Sequence, residues 1–137
     1  MTLPVTNALP PSEARMLSPL QLAYIGDAVH SLMARRQAIG KGLSVRDMHL
    51  FSTRAVNAVS QFRALSALSD SLTDDEMDIV RRGRNAHAHH ALPKSASHAE
   101  YTGSTGLEAL LGYLYLTGND ERLRIIERAL FAEDEHA

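Results

Sequence analysis

Cysteine is absent from the 137-residue chain, which excludes a disulfide framework and any zinc site built on thiolates. A reducing compartment suits such a chain, and a cytoplasmic location is the expectation. Also absent is any apolar run near the roughly 18 residues that a membrane span requires. The opening stretch MTLPVTNALPPSEARM carries three prolines and no basic start, so it does not read as a secretory signal. Period-two alternation of apolar and polar residues is missing, as is any internal repeat, and this argues against strands and solenoids. Acid is scarce locally rather than overall. Asp27 is the only acid between Glu13 and Asp47, and Glu108 the only one between Glu100 and Asp120.

What is present is enough for one domain with a real core, since 45% of the residues are hydrophobic. The net charge of −2 by itself argues against a nucleic-acid partner. Its distribution argues the other way. Arg35, Arg36, Lys41, Arg46, Arg54 and Arg63 face only Asp47 across residues 28–69, and Arg81, Arg82, Arg84 and Lys94 have no acid among them across residues 79–99. The acids gather in DSLTDDEMD (70–78) and in the tail AEDEHA, so the chain can still present a basic face.

Residues 1–17 read as a flexible arm, residues 18–131 as the folded domain and residues 132–137 as an acidic tail. Ser18, Pro19 and Gln21 form a helix start, with a capping residue, proline at the first helical position and a capping box. Leu22, Ile25, Val29 and Leu32 then make an apolar stripe at helical spacing, and the helix is expected to stop near Gly40. Ser44 caps a second helical region reaching Ser69, with a break expected near Phe51 and with Val56, Val59, Leu65 and Leu68 inward. The capping box TDDE (73–76) opens a helix that carries Met77, Ile79 and Val80 and ends in the basic RRGRN. Residues 86–98 read as a loop, TGLEALLGYLYLTG (105–118) as a strongly apolar helix, and Asn119 as the cap of a last helix with Leu123, Ile126 and Leu130 inward. The expected architecture is all-α, with five to seven helices.

Asp27 and Glu108 share a setting. Each is a solitary acid on an apolar helix, and each lies near a glycine, Gly26 or Gly112, where two helix backbones can approach closely. A buried carboxylate is costly unless it is paired or binds a metal. Two such acids from separate helices can converge on one divalent cation; Mg²⁺ commonly takes one or two carboxylates, several waters and a substrate phosphate. Plainer readings stand beside this one. Asp27 can be a core acid satisfied by Arg35, Arg36 or the backbone. TGLE (105–108) is itself a capping-box pattern, with Glu108 reaching back to Thr105.

AYIGDAV (23–29) resembles the signature of the ribonuclease III family, and STGLEALLGYLYL (104–116) resembles its second acidic motif, the two acids lying about 80 residues apart. VRRGRNA (80–86) and the LPK of the following loop (92–94) narrow the resemblance to the Mini-III group, short bacterial members without the separate double-stranded-RNA-binding domain. The resemblance covers residues 18–131 through four motifs in order. It implies a ribonuclease III-like helical fold and a Mg²⁺-dependent endoribonuclease, with Mn²⁺ able to substitute. It also implies a double-stranded RNA substrate, action on the large-subunit ribosomal RNA precursor, and a homodimer. Asp27 and Glu108 match the family's metal-binding, catalytic carboxylates. Ala23, Leu20 and Thr105 stand where fuller relatives carry three further acids, a thinning that the Mini-III group shares.

For RNA binding, the resemblance places the substrate near Arg81, Arg82, Arg84, Asn85 and Lys94. A solvated face with charges complementing the helix dipole is the plainer account of those residues. Tyr24 stands where an aromatic residue inserts into the partner subunit, with an ordinary core or surface tyrosine as the alternative. Thr105 is read first as a helix cap, and secondly as a group near the metal's waters. His87, His89 and His90 are read as surface histidines. His30, one turn after Asp27, is read as exposed, with a place behind Asp27 as the alternative. Two rival functions remain open at this point: a catalytically silent RNA-binding member of the fold, and a helical interaction module without nucleic acid. No His-Asp pair occurs in the chain, which sets aside a histidine-aspartate phosphohydrolase.

Overall fold

Ser18 accepts a hydrogen bond from the Gln21 backbone N–H while the Gln21 side chain accepts one from the Ser18 N–H, and this reciprocal cap opens the longest helix of the computed structural model, which describes residues 7–86 and 98–132. That helix, α2 (Pro19–Gly40), follows a short α1 (Pro11–Met16). After it come α3 (Val45–Ala55), α4 (Ala58–Leu68), a single 3-10 turn (Ser69–Ser71), α5 (Asp74–Asn85), α6 (His98–Leu116) and α7 (Asp120–Leu130). No strand occurs among the described residues, so the all-α expectation holds. The caps at Ser44, Thr73 and Asn119 are formed as the sequence indicates.

α6 is the central helix. Leu107, Ala109, Leu110, Leu111 and Leu114 on it are buried, and α2, α4, α5 and α7 pack around it. A helix apolar on most of its circumference must be covered on most sides. Its most extensive contact is with α2. There the two backbones touch: a Cβ added to Gly26 would lie 1.6 Å from the Glu108 carbonyl oxygen, and one added to Gly112 would lie 1.9 Å from that of Leu22. A second crossing, α5 on α6, has the same cause. A Cβ on Gly83 would come within 2.8 Å of the Gly106 Cα, and one on Gly106 within 2.9 Å of the Val80 carbonyl oxygen.

Two buried acids tie the outer helices together. Glu76 on α5 takes two hydrogen bonds from the Arg122 guanidinium on α7, at 2.8 Å and 2.6 Å. Burial alone would raise its pKa, but Arg122 and the backbone and hydroxyl of Thr73 hold it below the usual value. Glu127 on α7, also buried, accepts from Arg36 and from Gln37 Nε2 at 3.1 Å, both on α2.

Several expectations give way to packing. Part of the expected flexible arm is α1, with Ala14 fully buried and the Leu9 N–H donating to the Leu116 carbonyl at 2.8 Å. The break between α3 and α4 falls at Asn57 rather than near Phe51, because the Asn57 side chain caps α4 through the Ser60 N–H. Leu32 is 38% exposed and outside the core; the buried face of α2 is Leu22, Gly26, Val29, Met33, one turn apart each time, joined by His30 and Ala34. Met77 is likewise outside the core. α6 begins at His98, so Thr105 lies inside the helix and the cap reading of TGLE is wrong. A capping box needs a free helix end, and here there is none.

Candidate active site: a carboxyl pair at a helix crossing

The glycines at the α2–α6 crossing decide where the two solitary acids fall. With Gly26 against the Glu108 backbone, the neighbouring Asp27 stands beside the Glu108 side chain. Asp27 is exposed rather than a core acid, and Glu108 is half-buried. The two carboxyl groups lie within hydrogen-bonding reach of each other. Burial, hydrogen bonding with Asp27 and the negative charge beside it push the Glu108 pKa up to about 8, against a smaller opposing effect from Ser104. At neutral pH Glu108 therefore keeps its proton in the metal-free protein. Arg35 and Arg36 do not neutralise Asp27; Arg36 is paired with Glu127.

Behind Glu108 runs a chain of buried polar groups. Ser104 Oγ lies 3.4 Å from Glu108 Oε1 and bonds to Gln61 Oε1; Gln61 Nε2 lies 2.8 Å from His30 Nδ1. Gln61 and His30 are each 2% exposed, which corrects the reading of His30 as a surface histidine. Burial lowers the His30 pKa to about 4 against the pull of Asp27, so the ring is neutral at pH 7. Since Gln61 Nε2 can only donate, His30 Nδ1 accepts and the ring proton sits on Nε2. The unfolded chain protonates this histidine near pH 6.5 and the folded chain does not until about pH 4. Stability should thus fall as pH drops through that window, by roughly 3 kcal/mol from this residue. Urea melts at pH 7 and pH 4 should show that loss reduced in His30→Asn.

The basic residues divide. Arg81 pairs with Asp78 on its own helix, and an Arg82 guanidinium nitrogen donates to the Leu17 carbonyl at 3.1 Å, tying α5 to the turn before α2. Arg84 and Asn85 are exposed at the end of α5, and the Arg84 Cγ lies close to Gly106, two residues before Glu108. Lys94, His87, His89 and His90 lie outside the described residues. Tyr24 is 84% exposed. Thr105 is buried beside Ser104. No group of three or more His, Asp or Glu placed to hold a metal occurs among the described residues, so the pair stands alone. A cavity of about 600 Å³ bounded by Phe51, Arg54, Arg63 and Phe131 has neither carboxylate in its lining.

The model of the Ribonuclease III domain matches residues 20–119. Among curated proteins, the chain is 49% identical to the Mini-ribonuclease 3 of Symbiobacterium thermophilum over 82% of this chain and 87% of that one. It is 45% identical to the Mini-ribonuclease 3 of a Thermoanaerobacter species over 80% and 78%. The chain belongs to the ribonuclease III family, in its Mini-ribonuclease 3 branch. A crystal structure of Fusobacterium nucleatum protein FN1578 superposes with a TM-score of 0.77 at 26% identity, over 85% of this chain and 93% of that one. The fold is thus the ribonuclease III domain, and membership places the chain among endoribonucleases.

Within this ribonuclease III domain the donor set suits a hard divalent cation: two carboxylates and room for water on the exposed Asp27 side. Sequence reasoning missed Gln61 and Ser104. Gln61 carried a faint signal as a polar residue amid the apolar positions of α4, and Ser104 lay one helical turn before Glu108.

Proposed function

We propose that this chain is a divalent-cation-dependent endoribonuclease acting on double-stranded RNA, with Asp27 and Glu108 as its metal-binding, catalytic pair. The observation that carries the reading is the convergence of the chain's two isolated acids, from helices far apart in sequence, at the crossing where Gly26 lies against the Glu108 backbone. Mg²⁺ or Mn²⁺, when bound, would lower the pKa of a coordinated water and neutralise the scissile phosphate. Asp27 and Glu108 hold that ion and, once ionised, offer further oxygen atoms to orient the attacking water. Arg84 and Asn85, exposed beside the start of the second motif, and Arg81 supply positive charge and donors toward the backbone of an RNA duplex. The large-subunit ribosomal RNA precursor is the substrate that membership in the Mini-ribonuclease 3 branch favours. The test is cleavage of a labelled RNA duplex and the matching single strand, each with and without Mg²⁺. Cutting only of the duplex and only with metal is the expected result; unchanged cutting in a chelator removes the cation, and binding without cutting makes the chain a silent member of the fold.

A homodimer is part of the proposal. Leu20, Tyr24, Ala28 and Leu32 recur every fourth residue along α2, and all four are exposed. Such a stripe is the kind of surface that a second subunit covers, and an aromatic residue near its centre is the usual anchor. Tyr24→Ala should weaken the dimer by about 30-fold or more, read by sedimentation equilibrium over a concentration series. An intact dimer at low concentration in that variant would remove Tyr24 from the interface.

A further inference from the structure

Three helices each place one polar side chain in the core on a line that ends at Glu108: His30 from α2, Gln61 from α4 and Ser104 from α6. Buried polar groups are seldom more stabilising than apolar residues of the same shape, because their hydrogen bonds only restore what water supplied. Three in series, where a leucine and alanines would pack, therefore call for a use. The chain has a direction. His30 is neutral and accepts at Nδ1, which fixes the Gln61 amide with nitrogen toward His30 and oxygen toward Ser104. Gln61 Oε1 and Glu108 Oε1, the latter one helical turn on and 3.4 Å away, both accept from the single Ser104 hydroxyl, whose proton lies between them in a three-centre hydrogen bond. Glu108 is half-buried at the helix crossing, and whatever side-chain freedom it retains there costs affinity when lost on binding an ion.

We propose that Gln61 is a positioning residue, locked between His30 and Ser104 so that Ser104 holds the Glu108 carboxylate in the one orientation that faces Asp27. The role rests on the metal-binding reading of Asp27 and Glu108. With so few carboxylates present, the rigidity of each matters more than in a site with spare ligands. Groups that orient a metal ligand from behind are typically worth 10–100-fold in metal affinity or turnover.

The full chain is used throughout, with Mn²⁺ binding followed by electron paramagnetic resonance in the absence of RNA. Gln61→Met keeps the volume and removes the hydrogen bonds; Ser104→Ala removes the hydroxyl alone. Each is expected to bind Mn²⁺ about tenfold more weakly and to lower kcat about tenfold, with KM for duplex RNA unchanged. His30→Asn, which keeps an acceptor near the position of Nδ1, is expected to restore what His30→Leu loses. If Gln61→Met does not fold, Ser104→Ala decides by itself. Wild-type Mn²⁺ affinity and kcat in the folded variants would overturn the role, and so would a loss confined to melting temperature. Asp27→Asn separates the two levels of the reading. If it abolishes Mn²⁺ binding while Gln61→Met and Ser104→Ala leave it intact, the positioning role alone falls. If it binds Mn²⁺ as wild type does, the metal site falls and the positioning role with it.

Discussion

Asp27→Asn and Glu108→Gln should each lower cleavage of duplex RNA on the order of a thousandfold or more, while helical content and RNA binding stay near wild type. The size follows from what is lost. Stabilising charge where it develops in a transition state is worth about 3–4 kcal/mol for a single well-placed group, and here one of only two carboxylates would go. Binding should survive because the groups proposed to face the phosphates lie at the end of α5, and neither substitution touches them. Asp27→Asn should cost little stability, since Asp27 is exposed. Glu108→Gln should be tolerated for a different reason: the carboxyl already carries a proton in the metal-free protein, so the amide replaces a neutral group. Single-turnover cleavage and a filter-binding titration on the same preparations are the measurements. Near wild-type cutting by either variant would remove that residue from the site.

The second large effect is on the fold. Gly26→Ala and Gly112→Ala should each destabilise the protein by about 3 kcal/mol or more, because the added Cβ would meet backbone rather than a side chain able to swing aside. Helices α2 and α6 would have to separate, and the carboxyl pair would separate with them. Activity should therefore fall even in whatever fraction remains folded. Gly40→Ala is the matched control. A Cβ there would meet nothing within 4 Å, so it should be neutral or stabilising by about 0.5–1 kcal/mol. Urea denaturation of the three variants compares them directly, and a Gly112→Ala protein as stable as wild type would mean that the two helices can part at small cost.

Much of the fold was legible because helix ends are written in local chemistry. Ser18, Ser44, Thr73 and Asn119 each bond a backbone N–H three residues ahead, and no distant partner enters into it. The close approach at Gly26 and Gly112 was also legible, since a glycine within an apolar helix has few other uses. The same reasoning passed over Gly83 and Gly106, hidden among the arginines of RRGRN and in a pattern that looked like a cap. TGLE misled because a capping box and four residues in mid-helix have the same letters; what differs is whether a helix precedes them.

The sequence by itself determined where most helices begin, that the chain carries two solitary acids on apolar helices, and which family those motifs belong to. All of these rest on spacings of a few residues or on motifs read in order. Only the tertiary structure decided that Asp27 faces solvent while His30 lies in the core, and that Gln61 and Ser104 stand behind Glu108. α2 is rich in small residues on nearly every side, so its periodicity does not single out one buried face. Which side becomes the inside is set by the helix packed against it, and that helix comes from some 80 residues further along the chain.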